Sequence, residues 1–328
     1  MNIKSLLLGS AAALAVVSGA QAADAIVAAE PEPMEYVRVC DAFGTGYFYI
    51  PGTETCLKIS GEVRATLEFG DRYAPVGDDW DSTVRARVNF EAKNDSELGT
   101  IGSFIRLQGF DDAGVEIEQA YITVGGFKVG YAATFWDDLG IAGETDRFAD
   151  VTVFNTISYT YAADAFTFGV GVDDVSEFTS TNDVGVQAML SASLGAATVG
   201  VYGVYETFND EGAVYGVVSA DVGPGTLQVA GLWASGVTGY VDAVPFSGGD
   251  SIEWTVAAAY AFKATDKLTI TPSVAYWEGL AGTEAWGAGL MGEYALATGL
   301  KASATVDYVD VDGAGDDWSG FMRLTRSF

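Results

Sequence analysis

From residue 57 to residue 69 the chain alternates without a break. Leu57, Ile59, Val63, Ala65, Leu67 and Phe69 hold one parity, with Gly61 among them, and Lys58, Ser60, Glu62, Arg64, Thr66 and Glu68 hold the other. A period of two belongs to an extended strand whose faces meet different surroundings. The run is long for a strand of a soluble domain and fits one that crosses a bilayer at a tilt.

The pattern returns to the C-terminus. Further runs fall at 83–93, 101–110, 115–125, 127–135, 153–161, 166–172, 184–194, 198–205, 214–221, 227–233, 252–262, 268–276, 286–296, 300–308 and 318–328. Successive runs are joined alternately by tight turns, such as Gly125-Gly126, and by longer acidic connections at 70–81, 173–183, 235–251 and 309–317. The segment 136–151 has no period of two. The prediction is an all-β, transmembrane antiparallel barrel of about sixteen strands, spanning 57–328, with both termini on the short-turn, periplasmic side. Tyr159, Tyr161, Phe166, Phe262, Tyr276, Tyr294, Tyr308 and Trp318 fall near strand ends, where aromatic girdles sit. Pro272 lies inside a run, against the usual exclusion of proline from paired strands. The other parity, rich in Thr, Ser, Gly, Gln, Arg, Glu and Asp, predicts a polar interior, which in a barrel of this size is a water-filled channel.

The first 22 residues read as a cleaved secretory leader: Lys4, an apolar run at 6–17, and Ala20-Gln21-Ala22 as the cleavage site. Residues 23–56 then form a periplasmic N-terminal segment below the first strand. Cys40 and Cys56 are the only two cysteines, and in an exported chain they read as one disulfide, the competing reading being two buried thiols. Composition narrows the function. The formal net charge is -29, and removal of the leader takes away Lys4 and no acid. Such acidity disfavours a nucleic-acid partner. Histidine is absent, which excludes Ser-His-Asp and Cys-His catalysis and histidine-ligated metals, so neither an enzyme nor a cofactor is expected.

Two charge groups stand out. The segment 136–151 carries Asp137, Asp138, Glu144, Asp146 and Asp150 against Arg147, with Gly140 and Gly143 to let it turn. This third long connection is expected to fold into the lumen. Arg64, Arg85, Arg87 and Arg106 lie on the polar parity of the first three strands, and Arg323 on the polar parity of the last, which neighbours the first in a closed barrel. An acidic loop opposite a basic wall would set a transverse field across the pore. The competing reading is that the arginines only balance Glu62, Glu68 and Glu91 within the sheet.

The segment EYVRVCDAFGTGYFYIPGTETCLKISGEVR (35–64), the leader, the hairpin IEQAYITVGGFKVGY (117–131) and the terminal Phe328 resemble the alphaproteobacterial general porins of the Brucella and Rhizobium type. The resemblance implies a bacterial outer-membrane homotrimer of sixteen-stranded barrels passing small hydrophilic solutes. Its third loop would be the constriction, lined by the loop acids and by Arg64, Arg85, Arg87 and Arg106. Phe328 would be the signal read by the barrel-assembly machinery, and lipid and lipopolysaccharide would surround the barrel. Arg326 departs from the alternation usual in such a last strand. The expected function is passive diffusion with weak cation selectivity. A sugar-specific channel, which needs an aromatic track along the lumen, and a surface-structural or adhesive barrel are the alternatives.

Overall fold

A computed structural model describes residues 38–70, 79–137, 139–146, 153–176, 183–241, 245–246 and 250–328. The leader, most of the segment before Cys40, and Asp138, Arg147 and Asp150 lie outside the described residues.

The strands run β1 (Phe48–Tyr49), β2 (Cys56–Phe69), β3 (Trp80–Ser96), β4 (Gly99–Phe110), β5 (Val115–Val124), β6 (Phe127–Ala133), β7 (Val153–Ala162), β8 (Phe166–Asp174) and β9 (Val184–Ser193). They continue with β10 (Ala197–Glu206), β11 (Glu211–Val222), β12 (Gly225–Ala234), β13 (Ile252–Lys263), β14 (Leu268–Gly279), β15 (Glu284–Ala297), β16 (Leu300–Val311) and β17 (Gly315–Ser327). Each strand from β2 to β17 pairs antiparallel with the next, and β17 pairs with β2, so sixteen strands close a barrel. Closure removes the unpaired edges that a bilayer does not tolerate. The seam places Arg323 beside Thr66 and Thr325 beside Arg64. Phe328 extends it: its N–H donates to the Gly61 carbonyl and its carbonyl accepts from the Gly61 N–H, both at 3.0 Å.

The predicted parity holds around the barrel. Val63, Leu67, Ile105, Ile122, Val170, Val229, Val274 and Leu290 are outward and exposed, as a lipid-facing band requires. Outward aromatics pair across neighbouring strands near both rims, as in Phe127–Tyr159 at 4.8 Å and Tyr308–Trp318 at 5.0 Å between ring centres. Pro272 also faces outward. The β13–β14 ladder is paired at Ala259–Ser273 and resumes at Phe262–Ile270, so the missing N–H interrupts pairing without shifting the register. Arg326 lies at the short-turn rim, where its guanidinium donates to the Thr298 and Ser327 carbonyls.

Two expectations change. The acidic stretch 309–317 is not a long loop, because β16 and β17 pair out to Val311–Gly315. Gly313 and Gly315, at φ of 78° and 98°, allow that tight reversal. The second change is at the N-terminus. Cys40 and Cys56 are bonded, and Cys56 opens β2 on the parity of Lys58 and Ser60. Tyr47 is buried beside the disulfide, with the Lys58 and Lys93 ammonium groups 5.7 and 5.4 Å from its ring centre. The cross-linked segment therefore lies against the inner wall of the short-turn mouth, and is not merely below the first strand. Tyr47 follows the lysines because strand β1 continues the sheet at β2, with Phe48 beside Leu57 and Tyr49 beside Cys56. Replacing both cysteines with alanine is expected to cost about 3 kcal/mol by loop-closure entropy. The midpoint of urea unfolding in detergent checks this, and an unchanged midpoint would contradict it.

Candidate pore constriction

Strand register decides which charges meet. Arg64 and Arg85 are direct cross-strand partners, and Glu62 stands opposite Arg87. Glu62 takes Arg85 at 2.5 Å and Arg64 at 3.3 Å. Arg87 pairs with Glu118 at 2.7 Å, and Arg106 approaches the same carboxylate at 3.6 Å. Neutral acceptors fix the planes of these guanidinium groups: Arg87 Nε donates to Gln108 at 2.6 Å and Arg106 Nε to Asn89 at 2.8 Å. Arg323 lies over the Phe321 ring at 3.8 Å and donates to Thr66. The five predicted arginines thus form one continuous patch on β17, β2, β3 and β4.

The competing reading also finds support. Glu62 does balance its neighbours, although Glu91 pairs with Lys93 instead, at 2.5 Å. Glu118 was not legible as a wall residue. The β4–β5 ladder shifts between Arg106 and Leu107, and the bulge turns Glu118 inward next to Gln119. Two adjacent polar residues inside an alternating strand are the sequence signal of that bulge. Among the described residues, the five guanidinium groups of the patch form ion pairs with three carboxylates, Glu62, Glu118 and Glu144.

The residues of 136–146 that are described make long-range bonds to the inward parity of distant strands. Ala142 N–H donates to Gln228 of β12 at 2.7 Å. The Thr145 hydroxyl meets Ser273 of β14 and donates to Asp307 of β16, each at 2.7 Å. Trp277 Nε1 donates to the Asp146 carbonyl at 3.1 Å. Glu144 stands 3.9 Å from Arg323. Asp146 has a second task, because its carboxylate accepts the Ile141 N–H at 2.9 Å and ties the turn shut. Of the predicted loop acids, Glu144 is thus joined to the basic patch, Asp146 shapes the loop, and Asp137 lies near its root. Thr145, Ser273 and Asp307 are anchors that no local pattern marks.

One arc of the inner wall mixes its polar anchors with apolar side chains. From β10 to β16 it presents Val204, Tyr215, Leu232, Ala257, Trp277 and Val309, all buried, with Trp136 and Ile141 packed against them. The arginine cluster lies on the opposite arc, so the lumen lining is two-sided.

The chain matches the porin subfamily over residues 24–322. It is 45% identical to a putative outer membrane protein, y4fJ, of Sinorhizobium fredii, covering 100% of this chain and 99% of the relative. It is 35% identical to porin Omp2a of Brucella ovis, covering 97% and 91%. Among solved structures, the in-vitro folded OmpT of Vibrio cholerae, an outer membrane protein in its trimer form, aligns with a TM-score of 0.63 at 14% identity, covering 84% of this chain and 100% of that one. At that identity the likeness speaks for the fold alone. The closed sixteen-stranded barrel with its charged inner arc thus belongs to the porin subfamily of outer-membrane channel proteins.

Proposed function

We propose that the channel passes small hydrophilic solutes and ions by passive diffusion, with a weak preference for cations. In this reading the segment between β6 and β7 folds into the lumen. Its acidic edge faces Arg64, Arg85, Arg87, Arg106 and Arg323 across the narrowest point. The observation that carries it is the set of bonds from Ala142, Glu144, Thr145 and Asp146 to β12, β14, β16 and β17. Those partners stand on strands across the barrel from β6, which supports a path through the lumen. Opposed charges in a low-dielectric constriction order water and orient dipolar solutes, and the acidic vestibules concentrate cations. Screening over about 10 Å at 0.1 M salt keeps the preference weak. Single-channel conductance proportional to salt, with no saturation, is the expected signature. Saturation by one solute would favour a specific channel.

A sugar-specific channel has one observation in its favour. Phe104 and Tyr121 are stacked at 5.0 Å on the inward parity of β4 and β5. They span two strands, short of a track, and equal liposome swelling with sugars and amino acids of similar size would dismiss that reading.

The protein works as a homotrimer in outer-membrane lipid and lipopolysaccharide, and is inserted by the barrel-assembly machinery through its C-terminal strand. Deleting Phe328 removes both bonds to Gly61 at the closing seam. It is expected to lower the yield of heat-modifiable oligomer several-fold while leaving the conductance of assembled channels intact. Normal oligomer yield would contradict this role.

A further inference from the structure

The connection between β12 and β13 (235–251) makes a set of contacts that its acidity and length did not suggest. The Tyr240 hydroxyl donates to Asp173 of β8 at 2.7 Å, four strands away from where the connection leaves the barrel. The Gly239 N–H donates to Glu206 of β10 at 3.2 Å. Asn209 bridges Glu206 to the Val237 carbonyl. The Tyr240 ring lies edge-on to Phe154 of β7 at 5.3 Å. Its hydroxyl fills the space where a Cβ on Gly185 would stand, so only glycine fits at that point of β9. Tyr240 is 1% exposed, and Val241 and Phe246 are buried with it among the apolar residues of β10–β16.

The same carboxylate ties this connection to the β6–β7 segment. Asp173 also accepts from Gln187 at 2.6 Å, and the Gln187 side-chain carbonyl accepts the Phe135 N–H at 2.5 Å, at the root of the β6–β7 segment. Both connections are thus held by one buried polar chain and one apolar cluster. Exposed to a water-filled lumen, that apolar wall would be unfavourable at about 25 cal/mol per Å². Packed under two loop segments, it drives their docking.

We propose that the described part of the β12–β13 connection, residues 235–241 with Phe246, is a second jaw of the constriction. It seals the β7–β16 side of the lumen, so that the aqueous path runs only along the arginine arc, and Tyr240 is the positioning residue that sets the width of that path. This rests on the reading that the β6–β7 segment folds into the lumen, and it adds the element that closes the remaining space. The channel's size limit is then set jointly by the two loops, and its ionic preference by the first alone.

Cysteine accessibility in the assembled protein tests this, because Cys40 and Cys56 are bonded and leave no free thiol. The probes are Ala257→Cys on the sealed arc and Ser60→Cys on the open arc, treated with a charged methanethiosulfonate. Ser60→Cys should react and reduce the current. Ala257→Cys should react more than about tenfold more slowly, as a site reached only through local opening. Adding Tyr240→Ala should bring Ala257→Cys up to the open-arc rate and raise conductance, with the reversal potential unchanged. Asp173→Asn with Tyr240→Phe keeps the volume and weakens the latch, and should give an intermediate rate should the alanine variant not assemble. Equal rates at the two probes in the otherwise native chain would overturn the proposal. So would an unreactive Ala257→Cys in an assembled Tyr240→Ala channel. Release of Ala257→Cys by Thr145→Val but not by Tyr240→Ala would overturn the second jaw while leaving the first intact. Fast Ala257→Cys labelling together with loop-acid variants of unchanged reversal potential would remove both.

Discussion

Replacing Arg64, Arg85 and Arg87 with glutamine is expected to make the channel clearly cation-selective and more conductive. These residues are the core of the basic patch, and two of them sit side by side in register on Glu62. Their loss leaves Glu62 unopposed and removes three charges from one wall of the constriction. Under a tenfold KCl gradient the reversal potential should move toward the cation side by roughly 10–20 mV, out of the about 59 mV that ideal selectivity would give. The shift should shrink as salt rises, since screening shortens the field. Charge drives this result more than width does: glutamine keeps most of the side-chain length, and Arg106 still holds Glu118. A shift of the same sign and size from Arg326→Gln, at the outward-facing rim, would mean that the measurement reports surface charge and not the constriction.

Thr145→Val should have the second large effect. Its hydroxyl is the junction between Ser273 and Asp307, and all three side chains are buried. The valine variant keeps the volume and removes the donor. Asp307 retains the Thr305 hydroxyl on its other oxygen, at 2.9 Å, but loses the bond that holds the loop. A buried acceptor left short of a donor costs about 1–3 kcal/mol, enough to shift a docked loop toward an undocked population by about tenfold or more. Single-channel records should then show frequent excursions to a higher conductance level. A quiet channel at the native level would show that Thr145 does not hold the loop. Asp307→Asn, which keeps an acceptor, should be milder than Thr145→Val, and the order of the two variants tests the assignment of donor and acceptor.

The barrel was legible because lipid on one side and water or protein on the other impose a period of two on every crossing strand. Sixteen strands, their order and the inward parity of all five arginines follow from that. Strand ends were legible only approximately. Pairing continues past the alternating runs, as at Asp95 and Asp316, where alternation no longer signals a strand. The apolar arc was hidden for a related reason. In β13 alanines occupy both parities, Ala257 and Ala259 inward and Ala258 outward, so the pattern does not distinguish a small wall residue under a loop from one in water. The anchors were hidden because Thr145 and Asp307 are 162 residues apart in sequence, and no local signal joins them. Glu118 lay between these cases, betrayed only by the bulge.

Selectivity of the loop-acid variants bears most directly on the claim that an acidic loop faces the basic wall across the pore. Asp137, Asp138 and Asp146 replaced together by asparagine, with Glu144→Gln beside Arg323 as a separate variant, remove charge while keeping hydrogen-bonding groups, so the turn tied by Asp146 to Ile141 keeps an acceptor. Reversal potentials are measured across planar bilayers under a KCl gradient, at low and at high salt. The expected result is a shift of each variant toward anions, largest at low salt and opposite in sign to that of the arginine variants. Assembled channels whose reversal potential equals that of the native protein at both salt concentrations would contradict it, and the segment between β6 and β7 would then not form the constriction.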